Sequence, residues 1–190
     1  MPMSDVKSSR VILITGPARS GKSEWGERLA AQSATQFGQR VVYVATAIAP
    51  TDDAEWLARV EAHRNRRPAD WETLEVSHHL AKAIAAAAPD TCLLVDSLGT
   101  WLANLLEQDE ETWAETQAEL LHCLEQAQAQ VILIAEETGW GVVPAYPLGR
   151  RFRDRLGTLT RKIGAIANPV YLVTGGYALN LSALGTQIDG

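Results

Sequence analysis

Cysteine is scarce in this chain of 190 residues: there are two, Cys92 in an apolar run and Cys123 in a helix-like stretch. That pair supplies neither a disulfide framework nor a CxxC metal spacing, and it suits a reducing compartment. Basic residues are outnumbered, with Lys+Arg 17 against Asp+Glu 23 and a formal net charge of -6. A field of that sign repels nucleic acid and anionic membranes, so no nucleic-acid partner is expected. No stretch offers the roughly 18 uncharged apolar residues of a membrane span. The opening MPMSDVKSSR has no apolar core followed by a cleavage site, so export is not expected and residues 1–10 read as a flexible tail. The expected location is the cytoplasm. Internal repeats, low-complexity tracts and linkers are also missing, which leaves residues 11–190 as a single domain long enough for a sizeable core.

What is present is the composition of a soluble globular protein, 46% hydrophobic and 21% charged. Five short runs rich in Val, Ile and Leu recur at residues 11–15 (VILIT), 41–45 (VVYVA), 92–96 (CLLVD), 131–135 (VILIA) and 170–174 (VYLVT). None alternates polar with apolar, the pattern of strands buried on both faces. Helical spacing lies between them: residues 23–36, an acid-led segment at 52–64, an alanine-rich one at 78–87, and 110–128 with Trp113, Leu120 and Leu124 on one stripe. Pro147 opens a further helix whose apolar stripe is Leu148, Phe152, Leu156, Leu159 and Ile163. The class is therefore α/β, a mostly parallel sheet flanked by helices on both faces.

The sharpest local signal is Gly16, Pro17, Ala18, Arg19, Ser20, Gly21, Lys22 and Ser23, which fits G-x-x-x-x-G-K-[ST] between the first predicted strand and the first predicted helix. Glycines let the backbone curl around phosphates, successive N–H groups and the helix N-terminus face the anion, and Lys22 reaches the terminal phosphates. The Ser23 hydroxyl can hold Mg²⁺. Such a loop needs an acidic residue at the end of a neighbouring strand to organise the metal shell, and Asp96, closing LLVD, is the candidate. Its plainer role is a turn or helix-capping residue. Glu136 and Glu137, after the fourth run, are weaker candidates at the same sheet edge.

Residues 59–75 gather Arg59, His63, Arg64, Arg66 and Arg67 ahead of a Pro-Ala-Asp-Trp turn. Positive charge at a helix C-terminus explains much of this. The alternative is a second phosphate-handling site in which Arg64 and Arg67 hold a nucleotide and His63 attacks its α-phosphorus, a reasonable task for neutral imidazole near pH 7. His78, His79 and His122 lack such surroundings and read as structural or solvated.

Five blocks then resemble one family over nearly the whole chain: ITGPARSGKS (14–23), VVYVATA (41–47), DDAEWLARVEAHRNRRPADWETLE (52–75), LLVDSLGTWLANLL (93–106) and EETGWGVVPAYPLGRRFRDRLGTL (136–159). The sequence resembles the bifunctional adenosylcobinamide kinase/adenosylcobinamide-phosphate guanylyltransferase family. The resemblance implies a RecA-like P-loop enzyme that phosphorylates adenosylcobinamide and then transfers GMP from GTP to adenosylcobinamide phosphate, giving adenosyl-GDP-cobinamide. It implies GTP and ATP as substrates, His63 as the guanylyl carrier, Lys22 as its catalytic companion and a homotrimeric assembly. Family nucleotide contacts map onto residues 16–23, onto Ala45, Thr46 and Ala47, onto Arg64, Asn65, Arg66 and Arg67, onto Glu75 and onto Asp96. Three positions depart from the family pattern: Pro17 where a second glycine is usual, Glu136 where an asparagine is frequent, and the pair Thr160-Arg161 where Asn-Gln is frequent. Two other readings compete, a small-metabolite P-loop kinase that needs Lys22 but not His63, and a nucleotide-regulated binding protein.

Overall fold

The strand-like runs pair side by side because each carries apolar residues to both faces. The computed structural model describes residues 9–48, 61 and 67–188. Apart from Glu61, which is helical, the helix expected over 52–64 lies outside the described residues, as do residues 1–8 of the expected tail. Among the described residues, seven strands form one sheet: β1 (Val11–Gly16), β2 (Arg40–Ala45), β3 (Glu72–Glu75), β4 (Thr91–Asp96), β5 (Gln130–Glu136), β6 (Val170–Thr174) and β7 (Tyr177–Asn180). Their spatial order is β3-β2-β4-β5-β1-β6-β7, parallel except for the antiparallel β6–β7 hairpin. That hairpin turns on Gly175 and Gly176, both at positive φ (58 and 82), the backbone of a tight two-residue turn.

The helices bounded within the described residues are α1 (Lys22–Phe37), α2 (Leu80–Ala86), α3 (Leu98–Asn104), α4 (Glu110–Glu125), α5 (Pro147–Ile166) and the short α6 (Leu181–Leu184). Within β1, Val11 and Leu13 join a core with Leu80, Ile84, Trp101, Trp113, Leu120, Leu156, Leu159 and Ile163 from α2 to α5. Ile12 and Ile14 join the opposite core, where Ala30 of α1 packs with Tyr43, Leu94 and Ile134. Burial on both faces is what the unalternating runs required. Of the stripe predicted for α5, Leu156, Leu159 and Ile163 are buried, Phe152 packs against the core and Leu148 is exposed at the N-terminal turn.

Register fixes the working edge. Ala45 pairs with both Glu75 and Asp96, and Gly16 pairs with Glu136, so the C-terminal strand ends bring these residues to one rim. Ligand sites of open α/β sheets collect there.

Candidate active site

The P-loop leaves β1 at Gly16, where no side chain fits: a Cβ built there would stand 2.2 Å from the Val173 carbonyl oxygen of β6. Arg19 (φ 59) and Gly21 (φ 92) then take left-handed conformations, curling the loop into α1. Lys22, the first residue of α1, is buried, and its Nζ donates to the Pro17 carbonyl oxygen at 3.2 Å. The amine thus bridges back across the loop that it serves. Ser20 Oγ is buried without a hydrogen-bond partner.

Facing the loop is a cleft of about 1430 Å³. Its walls include residues 18–24, Tyr43, Ala45, Ala47, Arg67, Glu75, Asp96, Ser97 and Glu136. Tyr43 Oη donates to Asp96 Oδ2 at 3.2 Å, and the Arg67 guanidinium lies 3.5 Å from the centroid of the Tyr43 ring. Burial, then the Asp96 carboxylate, raises the Tyr43 hydroxyl above its ordinary pKa, with Arg67 pulling the other way. Tyr43 therefore stays a neutral donor that orients the carboxylate. The Asp96–Ser97 peptide is cis.

Behind the cleft, a polar network locks the strand ends. Thr46 is fully buried; its Oγ1 donates to the Ser97 carbonyl at 2.7 Å and accepts from Ser97 N at 2.8 Å. Asn104 Nδ2 donates to the carbonyl oxygens of Thr46 and Ser77 at 2.8 and 2.9 Å. Ser97 caps α3, and its Oγ also donates to Glu136 Oε1 at 2.5 Å, while Gly99 N donates to Glu136 Oε2 at 2.9 Å. Glu136 is thus fastened from two sides at the cleft wall. Glu137 instead turns its carboxylate to Gly139 N, and its own N–H donates to Gly16 O at 2.8 Å.

The residues expected at the site divide accordingly. Ala18, Arg19, Ser20, Gly21, Lys22, Ser23, Ala45, Ala47, Arg67, Glu75 and Asp96 line one cleft. Gly16 and Pro17 form the base of the loop, and Thr46 lies behind the wall, holding the chain between Ala45 and Ala47. His63, Arg64, Asn65 and Arg66 lie outside the described residues. His78, His79 and His122 are exposed, away from the cleft lining. Sequence reasoning missed Tyr43, Ser97 and Thr100 as wall residues. Tyr43 carried a signal, since it is the one hydroxyl-bearing side chain of the VVYVA run.

Residues 12–181 match the family model described as cobinamide kinase / cobinamide phosphate guanyltransferase. The chain belongs to that family. As a cobinamide kinase / cobinamide phosphate guanyltransferase family member it is 43% identical over 171 residues to the bifunctional adenosylcobalamin biosynthesis protein CobP of Pseudomonas aeruginosa, covering 89% of this chain and 95% of that protein. The bifunctional adenosylcobalamin biosynthesis protein CobU of Salmonella typhimurium is 35% identical over 186 residues, covering 90% of this chain and 99% of that protein. Among solved structures, an ATPase domain aligns with a TM-score of 0.50 at 10% identity, covering 86% of this chain and 69% of that one. The family's fold here is the RecA-like P-loop α/β architecture. No helix among the described residues is long and apolar enough to cross a membrane.

Proposed function

We propose that this protein phosphorylates the aminopropanol hydroxyl of adenosylcobinamide and then links GMP from GTP to the resulting phosphate, releasing adenosyl-GDP-cobinamide. The observation that carries the reading is the family match over residues 12–181, joined to a cleft in which the P-loop, Arg67, Glu75 and Asp96 face one another. The kinase half needs the γ-phosphate held still while the acceptor oxygen displaces the nucleoside diphosphate. Positioning and charge neutralisation do most of this work. The P-loop N–H groups, the N-terminus of α1 and the Lys22 ammonium supply them.

Guanylyl transfer runs through His63. One imidazole nitrogen forms a bond to the α-phosphorus of GTP; the bond from that phosphorus to the bridging oxygen breaks, and pyrophosphate leaves with the electron pair. A phosphate oxygen of adenosylcobinamide phosphate then attacks the same phosphorus and expels the imidazole, completing the new pyrophosphate link. Arg64, Asn65, Arg66 and Arg67 cradle the nucleotide phosphates, while Ala45, Ala47 and Glu75 bound it from the sheet edge.

Mg²⁺ fits the donor set. Ser23 offers a hydroxyl and Asp96 a carboxylate to the same cleft, the oxygen ligands that a hard cation selects, and these two residues would hold the ion. When bound, it neutralises charge on the transferring phosphates. The protein works in the cytoplasm as a homotrimer. Exposed Trp140, Val142 and Tyr146 supply apolar surface for the assembly.

The test is incubation of the purified protein with adenosylcobinamide, Mg²⁺, ATP and GTP, followed by mass analysis of the corrinoids. Adenosylcobinamide phosphate followed by adenosyl-GDP-cobinamide supports the reading. Nucleotide hydrolysis with unmodified corrinoid would refute it.

A further inference from the structure

The strand order sets β4 and β6 on opposite sides of β1, so the P-loop has two flanks. The large cleft occupies the flank of β2 and β4. On the other flank lies a second, open pocket of about 430 Å³, which shares Ser20, Gly21 and Glu24 with the cleft and is walled by α1 and the β6–β7 hairpin. Its volume falls in the range of small-molecule sites, roughly 300 to 1,000 Å³.

Its lining suits a flat, electron-rich ring. Trp25 and Arg28 belong to the lining, the Arg28 guanidinium carbon 5.6 Å from the Trp25 centroid, and Trp25 stands edge-on to Tyr171, which lies outside the lining, with centroids 5.5 Å apart. Tyr177, on the hairpin, is 75% exposed at the rim. Aromatic faces and a guanidinium plane stack on heteroaromatic rings without demanding one base. Glu24 brings a carboxylate to the P-loop side, where ribose hydroxyls would sit.

We propose that this cavity seats the base and ribose of a purine nucleoside triphosphate whose phosphates occupy the P-loop. It is a nucleoside position separate from the large cleft. The proposal rests on the P-loop holding nucleotide phosphates. A nucleotide bound this way keeps its nucleoside off the flank of Asp96 and Arg67 and leaves that cleft to the acceptor. A nucleotide whose nucleoside lies in the cleft makes the other arrangement, so one P-loop serves two poses.

The test compares equilibrium binding of ATP, GTP and inorganic tripolyphosphate, each with Mg²⁺, to the wild type and to the double variant Tyr177→Ala/Arg28→Ala. Both side chains are exposed, so folding should survive. The expected result is a loss of about tenfold for ATP, GTP or both, as removal of stacking partners implies, with tripolyphosphate changed less than twofold. Unchanged nucleotide affinity, or an equal loss for all three probes, overturns the proposal. Photolabelling by 8-azidoadenosine triphosphate should fall on peptides containing Trp25 or Tyr177; labelling confined to the peptide containing Glu75 also overturns it. Failure of the wild type to bind even tripolyphosphate defeats the P-loop reading, and the proposal with it, whereas retained tripolyphosphate binding confines a failure to the nucleoside seat.

Discussion

Adding one methyl group at Gly99 should disconnect the clamp on Glu136. A Cβ built at Gly99 falls 2.1 Å from Glu136 Oε2 and 2.7 Å from its Cδ, so the carboxylate has to retreat by more than an ångström. Two hydrogen bonds go with it, from Gly99 N at 2.9 Å and from Ser97 Oγ at 2.5 Å. Hydrogen bonds to a charged group contribute about 1.5 to 3 kcal/mol each. Glu136 is partly exposed and water will recover roughly half of that. Alanine returns up to about 1 kcal/mol of helix propensity at the start of α3. The net cost of Gly99→Ala is about 0.5 to 2 kcal/mol, which for a chain of this size lowers Tm by roughly 1 to 8 °C. The assay is thermal unfolding of Gly99→Ala, Glu136→Ala and the pair together. Without the carboxylate the methyl group meets no obstacle, so the double variant should be no less stable than Glu136→Ala alone. A Gly99→Ala protein as stable as wild type, or strictly additive losses in the pair, would refute the clamp.

Lys22→Ala should reduce both phosphorylation and guanylylation by about a hundredfold or more, because a single charge is aimed at the shared phosphate site; normal guanylylation in this variant would separate the two sites. Alkaline stability should fall in two stages. Burial pushes the Cys92 thiol up to about 12, and burial with Asp96 raises the Tyr43 hydroxyl. Both groups hold their protons more tightly folded than unfolded, so their contribution is complete below about pH 8.5 and is lost as the pH climbs toward 12, with the tyrosine share of the loss added from about pH 10 upward. Denaturant midpoints measured between pH 8 and 11 should decline, less steeply at the top in Tyr43→Phe, and a flat profile would contradict this. Cys92 should resist alkylation in the native protein and react only on unfolding, whereas labelling of the native protein at Cys92 would contradict its burial.

Much of this is legible in the sequence. The runs from Val11, Val41, Cys92, Val131 and Val170 announced five strands because burial on both faces leaves no polar alternation. β3 escaped because its residues, from Glu72 to Glu75, are all exposed at a sheet edge, where pairing with β2 rather than burial makes the strand. β7 carried the Gly175-Gly176 signal but only four residues of strand behind it. α3 is a seven-residue helix stabilised by the Ser97 capping box and the buried Trp101, tertiary features that periodicity does not register. The predicted helix at 78–87 begins instead at Leu80, after the His78 carbonyl accepts from Trp101 Nε1 at 2.9 Å. At the site, the motif itself located Lys22 and Ser23. The partnership of Tyr43 with Asp96 and the burial of Thr46 arise from the register of β2 against β4, which no local spacing records.

The most direct test of the central claim is the intact mass of the purified protein after incubation with Mg²⁺ and GTP, followed by acid treatment and peptide mapping. An acid-labile GMP adduct on the peptide containing His63 is the predicted result. GTP bound at the P-loop with no adduct, or an adduct that persists in His63→Ala, would contradict it.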